Sequence, residues 1–280
     1  MHASAAAAAP PAFDRAAEDV GNIVEFGHLN LRVPDQLQSI VFYVTGLGLT
    51  RDPFMQTGVD NAWINVGSSQ FHLPVGPAQR LRGRTLLVMP DLDALQARLA
   101  AVAPRLRGSA FAFERVSGQV MDLRCPWGNR IRAQATDPDR FGPMVLGMPA
   151  IEVDCAPGQA ARIARFYVEL LGARVAVGED DGGAFARVTA GPDGSLVFRE
   201  TARPLPPYDG HHVQLTLADF SGVHRRLVER GLVSEESNAS QYRFEQIVDP
   251  DSGELLTRLE HELRSMRHPQ FGRVLVNRPG

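Results

Sequence analysis

Lysine is missing from this chain: all 29 of its basic side chains are arginine. That absence excludes Schiff-base chemistry on a lysine amine and the P-loop type of phosphate site, which both need that group. Cysteine is scarce. Cys125 and Cys155 are the only two and show no CxxC spacing, so no disulfide framework is expected and a reducing cytoplasm fits best. Excess charge of one sign is also missing. The net charge is -3 and there is no basic block, which argues against nucleic acid as a partner. No apolar run approaches the roughly 18–20 residues needed to span a membrane. The opening MHASAAAAAPPAFDRAAEDVGN lacks both the basic start and the Leu/Val-rich centre of a secretory signal. Residues 1–22 are therefore expected to form a flexible tail.

What the chain has is repetition. HLNLRVPDQLQSIVFYVTGLGLT, from His28, and PAIEVDCAPGQAARIARFYVELLGARV, from Pro149, share one plan. Each is an alternating strand, a turn, an amphipathic helix containing FYV, and a glycine stop. TLLVMPDLDALQARLAAV, from Thr85, and VQLTLADFSGVHRRLVERGLV, from Val213, are each a strand ending near Asp and then a helix. RCPWGNRIRAQ and VDPDSGELLTRLE each read as a strand, a tight turn and a return strand. The chain thus divides into four βαβββ modules, at about 23–76, 82–136, 143–201 and 210–263. The linkers GPAQRLRG and ARPLPPYDG lie between modules, and DPDRFGP separates the halves 23–140 and 141–265. Residues 266–280 form a second tail.

Alternation along the strands places the polar faces. Leu29, Leu31 and Val33 share one side of the first strand, and His28, Asn30 and Arg32 share the other. Val213, Leu215 and Leu217 likewise oppose His212, Gln214 and Thr216. In SSQFHLPVG (68–76), Gln70, His72 and Pro74 oppose Phe71, Leu73 and Val75. A sheet with helices on its apolar face and a polar concave face opposite describes a cleft.

GHLNLRV, FYVTGLGL, CPWGNRI, FYVELLGA and GHHVQLTLAD, in this order, resemble the vicinal oxygen chelate superfamily. That group includes glyoxalase I, extradiol dioxygenases and fosfomycin-resistance enzymes. The resemblance covers nearly all of the chain after its N-terminal segment. It implies an α+β fold: four βαβββ modules paired into two incomplete β-barrels with helices outside. It also implies a divalent metal (Fe, Mn, Ni or Zn) that chelates two adjacent oxygens of a small substrate. Each module should supply one ligand on its first strand and one on its fourth.

Carried over residue by residue, module one offers His28 and His72, and module four offers His212. The register of the last strand falls on Thr257, with Glu260 three residues further on and within reach if a bulge shifts the strand. Module two offers Arg84 and Arg132, which cannot ligate a cation. Module three offers Met148 or Pro149 and then Phe198, with Glu200 nearby. One pairing of the modules, one with two and three with four, leaves both sites incomplete. Pairing one with four instead converges His28, His72, His212 and Glu260, and is the preferred arrangement. Glu260 and Tyr242 are the acid/base candidates, with Tyr208 a further one, while His211 and His261 are expected beside the site or exposed. The implied function is a metal-dependent dioxygenase or glyoxalase-like lyase or isomerase of bacterial, cytoplasmic type. A non-catalytic small-molecule binding or resistance protein of the same fold is the alternative. The fold permits a homodimer but does not require one.

Overall fold

The computed structural model describes residues 13–55 and 58–278. Module one contributes β1 (Ile23–Asn30), α1 (Gln36–Ile40), β2 (Thr50–Arg51), β3 (Asn61–Val66) and β4 (Ser69–Pro74). Module two contributes β5 (Gly83–Met89), α2 (Leu92–Val102), β6 (Ala112–Ser117), β7 (Val120–Arg124) and β8 (Arg130–Ala135). A single turn, α3 (Pro138–Phe141), leads into module three: β9 (Gly147–Cys155), α4 (Ala160–Leu171), β10 (Val175–Asp180), β11 (Gly183–Thr189) and β12 (Ser195–Glu200). Module four is β13 (His212–Leu217), α5 (Phe220–Glu229), β14 (Val233–Asn238), β15 (Gln241–Val248) and β16 (Leu255–Ser265). Among the described residues no helix is long and apolar enough to cross a membrane.

The helices start where the sequence placed Asp after a strand. Asp35 accepts a hydrogen bond from the Gln38 amide, Asp91 from those of Asp93 and Ala94, and Asp219 from that of Gly222. Each satisfies a first-turn amide that has no partner within its helix. α4 ends as its glycine foretold. Gly172 adopts φ +65°, and its amide and that of Ala173 bond back to Val168 and Tyr167, a closure that favours glycine. The two FYV segments match in burial at their aromatic pairs: Phe42, Tyr43, Phe166 and Tyr167 all have no exposed surface. After α1, however, the chain widens into a π-helical turn over Val41–Gly46.

The modules pair one with four and two with three. One sheet runs β14-β15-β16-β13-β1-β4-β3-β2, and the other runs β10-β11-β12-β9-β5-β8-β7-β6. In each, two first strands meet antiparallel at the centre, β1 with β13 and β5 with β9. The fourth strands lie parallel on their outer sides. Both sheets therefore cross the division between the halves 23–140 and 141–265. Each sheet stays open, as expected of an incomplete barrel.

Phe198 lies on the helix side of its strand, fully buried beside Tyr167 at a ring separation of 5.4 Å. The expectation that it faces the cleft is thereby corrected. Phe198→Ala should cost about 3–5 kcal/mol through the lost burial and the cavity left behind, measured as a lowered urea midpoint.

The described part of the C-terminal segment is docked onto the first sheet. Arg273 pairs with Asp52 at 2.5 Å. The Gly67 amide donates to Asn277 at 3.0 Å, and Asn65 donates to the Val276 carbonyl at 2.9 Å. At the other end, Arg174 holds the carbonyls of Ala16 and Asp19; residues 1–12 of the expected N-terminal tail lie outside the described residues.

Candidate metal centre

The pairing of β1 with β13 brings the histidines together. Leu29 lies opposite Val213, His28 opposite Gln214, and Asn30 opposite His212. An approximate twofold axis through the Leu29–Val213 pair relates His28 to His212. On the outer side of β1, His72 is the neighbour of Asn30. Alternation points all three side chains to the same face. One ligand atom from each of His28, His72 and His212 lies within 4.8 Å of the others. The His28 ring centroid is 5.4 Å from that of His72 and 5.7 Å from that of His212. Nitrogens sharing a cation at about 2.0–2.1 Å lie roughly 3–4 Å apart, so small side-chain rotations would suffice to close the set.

The cluster is deeply set. His28 and His212 are buried and His72 is half-buried. Burial lowers the basicity of all three. His72 falls to about 3, helped by the nearby Arg264 and Arg243. His28 and His212 lie well below the ordinary imidazole value, with added repulsion from neighbouring histidines and arginines. All three are neutral at pH 7, the form whose nitrogen lone pair can ligate. Nε2 of His28, both ring nitrogens of His72 and Nε2 of His212 are buried without a hydrogen-bond partner. Leaving polar nitrogens so is costly unless something else meets them. Their chemistry and convergence suit a divalent transition metal.

Neighbouring groups fix the rings. Trp63, opposite His72 on β3, stacks on it with centroids 3.8 Å apart. Gly27 has no side chain where a Cβ would meet Oε1 of Gln214 at 1.7 Å, so the Gln214 side chain can fold across β1 beside the site. A polar cavity of about 20 Å³ adjoins His28, lined by Gln70, Gln214, Arg264 and Arg273. That is room for about one water.

Glu260 reaches the cluster differently from the expected ligand. It pairs with His212 across β13 and β16, and its Oε1 lies 3.3 Å from His212 Nδ1, the nitrogen turned away from the unpartnered Nε2. Arg243 binds Glu260 and also Glu262, the latter at 2.6 Å. Burial raises the Glu260 pKa, and Arg243 opposes that shift. Glu262 was not foreseen. It pairs with Gln214, as His72 pairs with Asn30, so the twofold relates Glu262 to His72 and Glu260 to Gln70. Its Oε2 is 3.7 Å from His212 Nε2. Thr257, the register estimate, instead bonds Arg82 at 3.2 Å.

Tyr242 lies outside the site. It pairs with Leu263, packs on Phe220 and His224, and donates its hydroxyl to the Phe220 carbonyl at 3.1 Å. Its place one residue from Arg243, which faces the cleft, puts it on the helix side. Tyr208 donates to the His211 carbonyl and accepts from the Glu260 amide, so it braces β16. His211 and His261 are fully buried rather than exposed; His261 stacks on Phe244 and meets the Tyr167 hydroxyl at 2.6 Å.

In the second sheet the ligand positions are empty of ligand types. Arg84 is tied to Glu152, and Arg132 grips Asp122 with two bonds of 2.7 Å. Pairing of Leu86 with Ala150 and of Glu152 with Val197 makes Ala150 and Val197 the module-three counterparts of His212 and Glu262. Met148, Pro149 and Phe198 are out of that register.

No protein-family model and no curated protein matches the sequence. Solved structures do. Glyoxalase I from Zea mays superposes with a TM-score of 0.54 at 15% identity, over 86% of this chain and 92% of that one. A candidate dioxygenase from Bacillus subtilis gives 0.56 at 15% identity, over 88% and 86%. The cppA protein from Streptococcus pneumoniae gives 0.53 at 9% identity, over 88% and 100%. At such identities the likeness is one of fold, the fold that this chain shares with these structures.

Proposed function

We propose that the chain is a divalent-metal enzyme acting on a small oxygen-rich substrate that binds through two adjacent oxygens. The observation that carries this reading is the set of three neutral imidazoles of His28, His72 and His212 on one cleft, each with a buried ring nitrogen that has no hydrogen-bond partner. A cation held there supplies Lewis acidity to the substrate oxygens. Glu260 acts as a positioning residue: its carboxylate beside Nδ1 of His212 favours the tautomer that leaves Nε2 free. Trp63 fixes the plane of His72 by stacking.

A dioxygenase type of reaction suits these residues better than a glyoxalase-like one. The latter needs a carboxylate free to take a proton from carbon. Here Arg243 neutralises both Glu260 and Glu262, and Arg264 adds a second contact to Glu262 at 2.6 Å.

The probe is 4-nitrocatechol, whose visible absorption shifts when both oxygens meet a cation. Iron(II)-loaded protein should shift the band and take up oxygen with catechols. Metal-free protein and loaded His212→Ala should do neither. An equal shift without metal would refute the reading. Glu260→Ala should weaken iron(II) binding by about 10- to 100-fold, the usual effect of losing a carboxylate behind a ligand histidine, read by competition with a chromophoric chelator.

A further inference from the structure

A far larger cavity lies on the other sheet. It measures about 890 Å³ and is floored by β5, β8, β9, β11 and β12. Its centre is apolar: Leu86, Ala150 and Val197 form a separate cluster with Phe185 against it. These residues stand where the first cleft has Asn30, His212 and Glu262. Around them stand Arg84, Arg132, Arg140, Arg187 and Arg199.

The repeat explains why one of these arginines matters. Arg187 pairs with Val197 across β11 and β12, as Arg243 pairs with Glu262 across β15 and β16. In the first cleft the matching arginine is neutralised by Glu260 and Glu262. In the second, Ser195 and Val197 replace the two carboxylates. Arg187 keeps a hydrogen bond to Ser195 at 3.1 Å and lies over the Phe185 ring at 5.9 Å. Among the described residues no carboxylate pairs with it. Three of the arginines around it already have theirs: Glu152 for Arg84, Asp122 for Arg132 and Asp180 for Arg199.

We infer that the cleft of modules two and three is a second binding site, for a carboxylate carried on an apolar body. The carboxylate meets Arg187 as a two-pronged pair, and the body lies over the apolar floor at Leu86 and Ala150. A cavity of this size is within the range that encloses small organic ligands. The site needs no metal and is independent of the histidine cluster.

The test uses the full chain and 2-naphthoate, followed by calorimetry. Three comparisons accompany it: 2-naphthamide, which keeps the rings and loses the charge; inorganic phosphate, which keeps charge without rings; and the variant Arg187→Gln, with the parent measured both metal-free and loaded with iron(II). One 2-naphthoate should bind per chain. The amide and Arg187→Gln should each weaken binding about 10- to 100-fold, the value of a charge-assisted hydrogen bond. Phosphate should not compete, and the metal-free and loaded parent should bind alike. Circular dichroism checks that Arg187→Gln is folded, and Arg187→Lys should restore part of the affinity. Equal binding of acid and amide, indifference to Arg187→Gln, competition by phosphate, dependence on the metal, or no binding at all would each overturn the inference.

Discussion

His28→Ala and His212→Ala should each lower affinity for iron(II), manganese(II), nickel(II) or zinc(II) by more than about 100-fold, since even a residue behind a ligand is worth 10- to 100-fold. The parent chain, prepared without chelator, should hold about one cation. His28 lies at the centre of the cluster, in ring contact with His72, His212 and Trp63, so its loss also removes packing. His212 is less central but is backed by Glu260, so His212→Gln keeps volume and separates lost ligation from lost packing. Unchanged metal content in both variants, by elemental analysis after gel filtration, would dismiss the cluster as a binding site. Arg84→Ala and Arg132→Ala, on the other sheet, should leave metal content untouched.

Acid should unfold the metal-free protein steeply. His72 and His261 both have their pKa lowered to about 3, chiefly by burial, and those of His28 and His212 also lie well below the ordinary imidazole value. Unfolded, each returns to about 6.5. Between these limits the unfolded chain binds more protons, so stability rises with pH and falls as pH drops below about 6.5. One such group contributes about 1.4 kcal/mol per pH unit, so His72 and His261 alone give a slope of roughly 3 kcal/mol per pH unit, and His28 and His212 act in the same direction. Against a typical stability of about 5–15 kcal/mol, unfolding is expected between about pH 6 and pH 4, with loss of the near-ultraviolet circular dichroism. Stability that stays level from pH 7 to pH 4 would show that these histidines are not buried as described.

The fold was legible because it is repeated. Helix entries at Asp35, Asp91 and Asp219, the glycine stop at Gly172 and the alternation along β1 and β13 are local signals, each with a local cause. Three residues of the cluster could be named for the same reason, since His28 and His212 hold equivalent places on the first strands of their modules and His72 follows a tight turn at Gly67. Which modules share a sheet is a long-range matter. It was approached only through the unequal distribution of ligand-type residues, and the sheets follow that pattern. Glu262 escaped because β16 has 11 residues and β4 has 6, so counting from the Gly253 turn stops too early. Laying His72 and Glu262 on the shared register with Asn30 and Gln214 would have found it. Tyr242 was misplaced by a single residue of strand phase, which exchanges one face of a sheet for the other. Phe198 failed likewise: its neighbour Val197 faces the cleft.

The decisive measurement is the anomalous scattering of a crystal of the full chain grown with manganese(II) or zinc(II). One strong peak should lie between β1, β4 and β13, within about 2.0–2.3 Å of a nitrogen from each of His28, His72 and His212, with Glu260 beside His212 Nδ1 and no peak in the arginine-lined cleft. A peak bound by other residues, or none at a concentration that saturates binding in solution, would contradict the assignment of this cleft as the metal centre.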